Sequence, residues 1–314
     1  MEYIKGITFA PFARRGLLAD PRTEESLKNA ARRTNANLIL LVPNGLQDTA
    51  QSEAIDFRSE AAMGDEELIA FIEKIHDLGL RAALKPTVNC RNCTWRAHIN
   101  FFDEDVPCEP KWGNWFASYT AFQAHYAAIA EKTGCELFIA GCEMVQSERR
   151  EKEWRALLAD LRGVYHGPLS YNTDKYQEHN VKWWDAVDVI SSSGYYPIVD
   201  LERQLDRIEA VVRRFDKPFF FAEFGCMSTA GSKLVPNDWS VKGAVDLAGQ
   251  ADWYRAMFEA CKKRDWVGGF AVWDWAGRQY PLEKALSNGG YEIYGKPAEK
   301  VVAEYYGGTE GTRL

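Results

Sequence analysis

The sequence lacks the long apolar run and the basic surplus that mark two large classes of protein. No stretch of about 18 apolar residues occurs among its 314 residues, so we expect no membrane-spanning helix. The 45 Asp and Glu outnumber the 38 Lys and Arg, which argues against nucleic acid or an anionic membrane as a partner. The opening segment MEYIKGITFAPF has no signal-peptide pattern. We therefore expect a cytoplasmic protein, with secretion as the alternative if a signal has been removed.

The cysteines do not form the disulfide framework of a small secreted protein. There are seven in a long chain, an odd number, and reduced thiols are the expectation. Cys90, Cys93 and Cys108 give one C-x2-C pair and a third thiol, and His98 is the nearest candidate for a fourth zinc ligand. Because a second C-x2-C pair is missing, we favour loop thiols without a metal and expect no cofactor.

Signatures of several other enzyme classes are also missing. No G-x-G-x-x-G follows the first predicted strand, which argues against a dinucleotide-binding fold. No G-x-S-x-G elbow and no H-E-x-x-H are present, which argues against serine hydrolases and zinc proteases.

What the sequence does contain is a regular alternation of short apolar runs with longer amphipathic stretches. Eight runs are predicted as strands: residues 3–10, 37–43, 81–88, 137–143, 168–172, 188–196, 218–225 and 268–275. Apolar runs buried on both faces indicate parallel pairing. Eight βα units in about 300 residues match a single (β/α)8 barrel over residues 1–314, with a doubly wound open sheet as the alternative.

The longest irregular segments all follow predicted strands. They are residues 44–63, 89–111 and 226–242. In a barrel they would lie at the carboxyl ends of the strands, on the face where barrel enzymes have their active sites.

Two glutamates end apolar strands in this pattern. Glu143 closes the run ELFIAGCE, and Glu223 stands near the end of KPFFFAEFG. Burying a carboxylate is costly without compensation, so these positions call for a reason. On the fourth and seventh strands the two carboxyls would face each other, which suits glycoside hydrolysis by an acid and a nucleophile. A divalent cation site, or two unrelated ion-paired charges, would also fit this pattern.

Polar and aromatic residues occupy the ends of other predicted strands and the loops that follow. Tyr, Trp, Asn, Arg and Lys there could floor a sugar ring or bind its hydroxyls. Strand neighbours point to opposite faces, so at most one of two adjacent tyrosines would reach the site. The candidate substrate-binding residues are Lys85, Asn89, Arg96, His98, Asn172, Tyr195, Tyr196, Trp273 and Trp275.

Taken together, these segments resemble glycoside hydrolase family 113, a group of retaining β-mannanases. The resemblance covers most of the chain and rests on LKPTVN, WRAHINF, AEKTGCELFIAGCEM, WRALLADLRGVYHGPLSYN, VDVISSSGYYP, KPFFFAEFG and YGKPA. It implies a (β/α)8 hydrolase acting on β-1,4-mannosidic links of a mannan-type oligo- or polysaccharide, with Glu143 as acid/base and Glu223 as nucleophile.

The sequence departs from that pattern at the residue before the acid/base. Many members of the clan carry Asn there, and this chain has Cys142. The contact to the sugar 2-hydroxyl would then come from elsewhere, with Asn172 or Arg96 as candidates. Two alternatives stay open: a retaining glycosidase for another β-linked sugar, such as a glucan or xylan, and a barrel that binds sugar without catalysis.

Overall fold

A closed ring of eight parallel strands forms the centre of the computed structural model, which describes residues 2–308. The described residues contain ten strands, of which all but β3 and β5 form the ring: Ile4–Phe9 (β1), Leu38–Leu41 (β2), Asn44–Gln47 (β3), Arg81–Leu84 (β4), Thr87–Cys90 (β5), Leu137–Cys142 (β6), Leu169–Thr173 (β7), Val189–Ser193 (β8), Phe219–Phe224 (β9) and Val267–Trp275 (β10). The ring runs β1-β10-β9-β8-β7-β6-β4-β2, so the predicted (β/α)8 barrel is confirmed and the open sheet is wrong. Met1 and residues 309–314 of the predicted domain lie outside the described residues.

Helices surround the ring and connect its strands. They are Pro21–Thr34 (α1), Asp65–Asp77 (α2), Trp112–Thr133 (α3), Glu151–Arg162 (α4), Leu201–Phe215 (α5), Leu247–Lys262 (α6) and Pro297–Gly308 (α7). Short 3-10 helices occupy Arg96–His98, Trp184–Ala186, Ser232–Leu234 and Leu282–Ser287, the second of them in the connection from β7 to β8. Within residues 2–308, no helix has the length and apolar character that crossing a membrane requires.

The helix ends follow from local sequence. Asp20 accepts a hydrogen bond from the Arg22 backbone N–H, and Pro21 comes first in the helix, where its missing N–H costs nothing. Gly134 ends α3 in the left-handed conformation, which suits a residue without a Cβ.

The apolar core has two layers, separated by the barrel wall. The inner layer fills the ring and consists of Ile4, Leu38, Leu40, Ala83, Leu137, Ile139, Val189, Phe220, Ala222 and Ala271. The outer layer is much larger and packs the other faces of the strands against the helices. Strands buried on both faces explain why the apolar runs in the sequence are nearly continuous.

The predicted strand at residues 81–88 is two strands in the structure. Pro86 interrupts it, because proline has no N–H to donate to a neighbouring strand. β5 instead pairs in parallel with β3, in a separate two-stranded sheet beyond the carboxyl ends of β2 and β4. β3 lies in the segment 44–63 that the sequence predicted as irregular, and β5 spans the boundary between the predicted strand 81–88 and the irregular segment 89–111. Lys85 is left just past the end of β4.

The end of β6 is distorted next to Glu143. Gly141 has φ of 107°, a conformation that residues with a Cβ rarely adopt, and the pairing register between β6 and β7 shifts between Ile139 and Cys142. A Cβ at position 141 would overlap the hydroxyl oxygen of Tyr119. Glycine is therefore required here both by the backbone and by the packing of α3.

We expect Gly141→Ala to destabilise the protein by about 2–4 kcal/mol, because it adds backbone strain to an overlap with Tyr119. Gly113→Ala is the matched control: it lies in α3 with no atom within 4 Å of the added methyl group. That change should be neutral or stabilise by up to about 1 kcal/mol. Urea unfolding followed by circular dichroism measures both, and equal effects would contradict the account of Gly141.

Candidate active site

Glu143 and Glu223 meet at the carboxyl ends of the fourth and seventh barrel strands. Glu143 directly follows β6, and Glu223 is the second-last residue of β9. A carboxylate oxygen of each lies within 4.8 Å of the other, and both side chains are largely buried. Glu143 has φ of 54°, a left-handed conformation that costs about 1–3 kcal/mol in a residue other than glycine. Its N–H donates to the carbonyl oxygen of Asn172 at 2.7 Å, which helps to fix this conformation.

Three donors surround the carboxylate of Glu223. The ammonium of Lys85, which is completely buried, forms an ion pair with Oε1. The thiol of Cys142 donates to the same oxygen at 3.2 Å, and the Tyr195 hydroxyl donates to Oε2 at 3.1 Å. Both oxygens of Glu223 are therefore held from different strands, and the side chain has a defined orientation.

The charges around Glu223 decide its protonation. Burial by itself would raise the pKa of this carboxyl, but the positive charges of Lys85 and Arg96 outweigh burial and hold its pKa below the usual range. Glu223 is therefore a carboxylate anion at neutral pH. The Cys142 thiol behaves oppositely: burial, followed by the charge of Glu223, raises its pKa well above the ordinary value, so it stays protonated and can donate.

Glu143 has a different set of partners. The Trp95 indole N–H and the Arg96 guanidinium approach Oε2 at 3.2 and 3.3 Å. The Ser193 hydroxyl lies 2.8 Å from Oε1. The two glutamates thus have no side-chain donor in common, which allows them to play different chemical roles.

A buried chain of polar side chains connects the two carboxylates. Lys85 Nζ donates to Oδ1 of Asn172 at 3.3 Å, and Nδ2 of Asn172 donates to Ser193 Oγ at 3.0 Å. Ser193 then reaches Glu143. Asn172 is fully buried between Lys85 and Ser193, so its role is to position them.

Trp273 completes the part of the site that the sequence predicted. The Lys85 ammonium lies 5.7 Å from the centre of its ring. The ring also packs against Phe12 at 5.9 Å, and the guanidinium of Arg96 lies 5.9 Å from the Phe12 ring. Trp273 is half-buried, so its indole leaves surface for a sugar ring.

Four predicted substrate-binding residues lie apart from the two glutamates. Tyr196 points to the opposite face from Tyr195, and its hydroxyl donates to Glu178. The indole N–H of Trp275 donates to Ser26 in helix α1, on the outer side of the barrel wall. Tyr196 faces away from the glutamates because adjacent strand residues point to opposite faces. Trp275 is two residues from Trp273, and the shift in register of β10 against β1 before Trp275 turns it toward the helices. Asn89 bonds Asn44 within the two-stranded sheet, and the exposed His98 packs its ring against Trp95.

The described part of the chain offers one group of three close metal-ligand atoms, from Cys142, Glu143 and Glu223. Two cations already pair with these carboxylates, since Lys85 contacts Glu223 and Arg96 contacts Glu143. Their charge disfavours a divalent cation at the same place. Within residues 2–308, the thiols of the C-x2-C motif do not gather with His98 into such a group, which the zinc alternative would require.

Trp95 and Ser193 contact Glu143, and the sequence did not identify them. Trp95 belongs to the irregular stretch after β5, and no periodicity marks its direction. Ser193 lies in the serine-rich end of β8, and serines there bond backbone and side chains alike. The one available signal for Ser193 was its spacing from Tyr195: residues two apart along a strand point to the same face, so a site residue at 195 predicts one at 193.

The arrangement of these carboxylates can be compared with known proteins. The family model described as Glycoside Hydrolase Family 113 matches residues 7–296. The chain belongs to glycoside hydrolase family 113. It is therefore a glycoside hydrolase, and the resemblance predicted from its motifs is confirmed.

Solved structures of family members are closely similar to this chain. A GH113 β-1,4-mannanase is 55% identical over 98% of this chain and 100% of its own, with a TM-score of 0.97. The GH113 β-mannanase of Alicyclobacillus acidocaldarius, in complex with ManMIm, is 40% identical over 98% of both chains, with a TM-score of 0.94. A β-glucuronidase of Ruminococcus gnavus, 12% identical over 98% of this chain and 50% of its own, has a TM-score of 0.64 and shares the fold alone. No curated protein matches the chain.

Replacing Lys85 with Met should change the pH dependence of activity as well as its level. If Glu223 is the attacking carboxylate, only its ionised form reacts, and activity falls as the pH drops through its pKa. Without the Lys85 charge this pKa rises, and the acidic limb of kcat/KM should move to higher pH. We also expect kcat/KM to fall about 100-fold or more.

The control for this change is Lys132→Met, an exposed lysine in α3. Its pH profile and kcat/KM should match the unchanged enzyme. A Lys85→Met variant that loses activity with an unmoved acidic limb would show that Lys85 acts on something other than the ionisation of Glu223.

Proposed function

We propose that the enzyme is a retaining β-1,4-mannanase that cleaves β-mannosidic links by double displacement. The observation that carries this proposal is the close approach of the Glu143 and Glu223 oxygens, within 4.8 Å. Retaining enzymes hold their carboxyl groups about 5–5.5 Å apart, whereas inverting enzymes need a wider gap for a water molecule. The sugar assignment is supported by the β-mannanases that share 55% and 40% of its sequence.

Glu223 is the nucleophile in this proposal. Its carboxylate attacks the anomeric carbon and forms a glycosyl ester, while the bond from that carbon to the leaving oxygen breaks. Lys85, Tyr195 and Cys142 hold the attacking group without needing to reorganise.

Glu143 is the acid and then the base. It carries the proton that the leaving oxygen takes as the first bond breaks, and so becomes a carboxylate. In the second step it accepts a proton from water, whose oxygen attacks the anomeric carbon and releases Glu223. Trp95, Arg96 and Ser193 keep this carboxyl at the same place through both steps.

Cys142 leaves the contact to the sugar 2-hydroxyl to another residue, and we assign that contact to Arg96. Asn172 is the weaker candidate, because it is fully buried and its Nδ2 is already bonded to the carbonyl of Thr173 and to Ser193. Arg96 retains some exposure beside Glu143.

A panel of β-1,4-linked oligosaccharides tests the sugar assignment. We expect cleavage of manno-oligosaccharides from two to six units, with kcat/KM at least about 100-fold above that for the matching gluco- and xylo-oligosaccharides. Product analysis by chromatography gives the bonds cleaved, and NMR of the first product shows whether the β configuration is kept. Faster cleavage of the gluco- or xylo-series would replace mannan by that polysaccharide, and a first product of α configuration would overturn the retaining mechanism.

Azide rescue tests the two carboxylate roles separately. Glu223→Ala should lose nearly all activity on an aryl β-mannoside, and azide should restore part of it by forming the α-mannosyl azide in the space of the lost carboxylate. Glu143→Ala still forms the ester from an activated aryl substrate, so azide there should give the β-mannosyl azide.

The azide products identify the residues by their configuration. Proton NMR distinguishes the two anomers. The opposite assignment of anomers to variants would exchange the roles of Glu143 and Glu223. More than a few per cent of activity in Glu223→Ala without azide would remove Glu223 as the nucleophile.

A further inference from the structure

Trp95 has two faces with different surroundings. Its indole N–H lies 3.2 Å from Glu143, yet the side chain is 37% exposed, unlike the buried tryptophans of the core. It comes from the loop after β5, on one side of Glu143. An exposed indole face beside a catalytic carboxyl is a surface on which the apolar face of a sugar ring can stack.

Asp174 and Lys175 lie on the other side of Glu143, in the loop after β7. Lys175 Nζ lies 5.7 Å from the centre of the Trp95 ring, so the two loops meet over Glu143. Lys175 Nζ also contacts both carboxylate oxygens of Asp174, each at 3.4 Å. Contacts of this length leave lone pairs of Asp174 for other donors.

Asp174 is a largely buried carboxyl that the proposed mechanism does not use. Burial first, and then the negative charge of Glu143, raise its pKa well above the usual range. A buried carboxyl at the edge of an active site, with Lys175 alone among the described residues contacting its oxygens, is a ready partner for ligand hydroxyls.

Different residues surround Glu223 and Glu143, and this difference indicates where each part of the substrate lies. Lys85, Tyr195 and Trp273 gather around the nucleophile, where the sugar that becomes attached must lie. Trp95 and Lys175 lie beyond Glu143, which must contact the oxygen between that sugar and the leaving group. The leaving group therefore extends over Trp95 toward Lys175.

We propose that Trp95, Asp174 and Lys175 form the binding site for the leaving-group sugar, a neutral β-linked hexose unit. This assignment rests on the proposed function. Trp95 supplies the stacking face, and Asp174 and Lys175 supply an acceptor and a donor for ring hydroxyls. The same site holds an acceptor sugar when the second step is a transfer to sugar in place of water.

The transfer step gives a direct measurement of this site. An acceptor hydroxyl attacks the anomeric carbon of the glycosyl ester, and the bond from that carbon to Glu223 breaks. The hydroxyl proton passes to Glu143, and Glu223 leaves as the carboxylate. A 2-deoxy-2-fluoro-mannosyl fluoride should trap the ester on Glu223, and added mannobiose should then regenerate free enzyme in a saturable manner.

We expect Lys175→Met and Asp174→Asn to raise the half-saturating concentration of mannobiose at least 10-fold, with a much smaller effect on the rate of regeneration by water. Trp95→Ala should raise the half-saturating concentration of mannobiose by a similar factor, and it should also slow regeneration by water because it loses the N–H to Glu143. Trp95→Phe keeps a stacking face but loses the N–H to Glu143, so it should bind mannobiose nearly as well and regenerate more slowly. Lys182→Met, an exposed lysine whose ammonium contacts the carbonyl oxygen of His179, is the matched control and should behave like the unchanged enzyme.

Two failures can be told apart by mass spectrometry of the Glu223 peptide. Normal trapping with unchanged mannobiose dependence in Lys175→Met and Asp174→Asn would overturn the leaving-group site alone. Absence of the trapped ester in the unchanged enzyme would overturn the proposed function and this site with it. Circular dichroism of each variant separates a lost site from a lost fold, and a folded Trp95→Phe that binds mannobiose 10-fold more weakly would remove Trp95 as a stacking surface.

Discussion

The buried ion pair between Lys85 and Glu223 is the interaction on which the rest of the site depends. Both groups lose their water inside the barrel, and removing one would leave the other charged and unpaired at a cost of several kcal/mol. The pair joins the first residue past β4 to the end of β9, on opposite sides of the ring. Lys85 therefore keeps Glu223 ionised and, through Asn172 and Ser193, helps to position Glu143.

This dependence explains why β4 is so short. The Lys85 N–H still bonds the carbonyl of Leu41 in β2, and a longer β4 would continue Thr87 and its successors along the barrel wall. Pro86 prevents this, and the chain moves to the small β3–β5 sheet. The Lys85 ammonium also donates to the carbonyl of Ala222, the residue before Glu223, at 3.3 Å.

The sequence predicted site residues best in the strands, where regular structure fixes the direction in which each side chain points. Apolar runs revealed the barrel strands, and the glutamates at their ends faced each other because parallel strands bring their carboxyl ends to one face. Alternation limited Tyr195 and Tyr196 to one site residue without saying which. The same rule places Trp273 and Trp275, two residues apart, on one face, and it fails there because the register of β10 against β1 shifts between Val272 and Trp275. Trp95 and Lys175 could not be placed, because a loop has no period from which side-chain direction follows.

Cys142 illustrates how a substitution at the centre of a site can preserve its electrostatics. A thiol with a raised pKa is neutral, so it adds no charge beside Glu223, and its S–H donates to the same oxygen that Lys85 contacts. A thiolate there would repel the Glu223 carboxylate and raise its pKa, opposing Lys85. Burial by the β6–β7 wall is thus what makes a cysteine tolerable at this position. The wall that excludes water from Cys142 also strengthens the Lys85 ion pair, so one feature of the packing serves both groups.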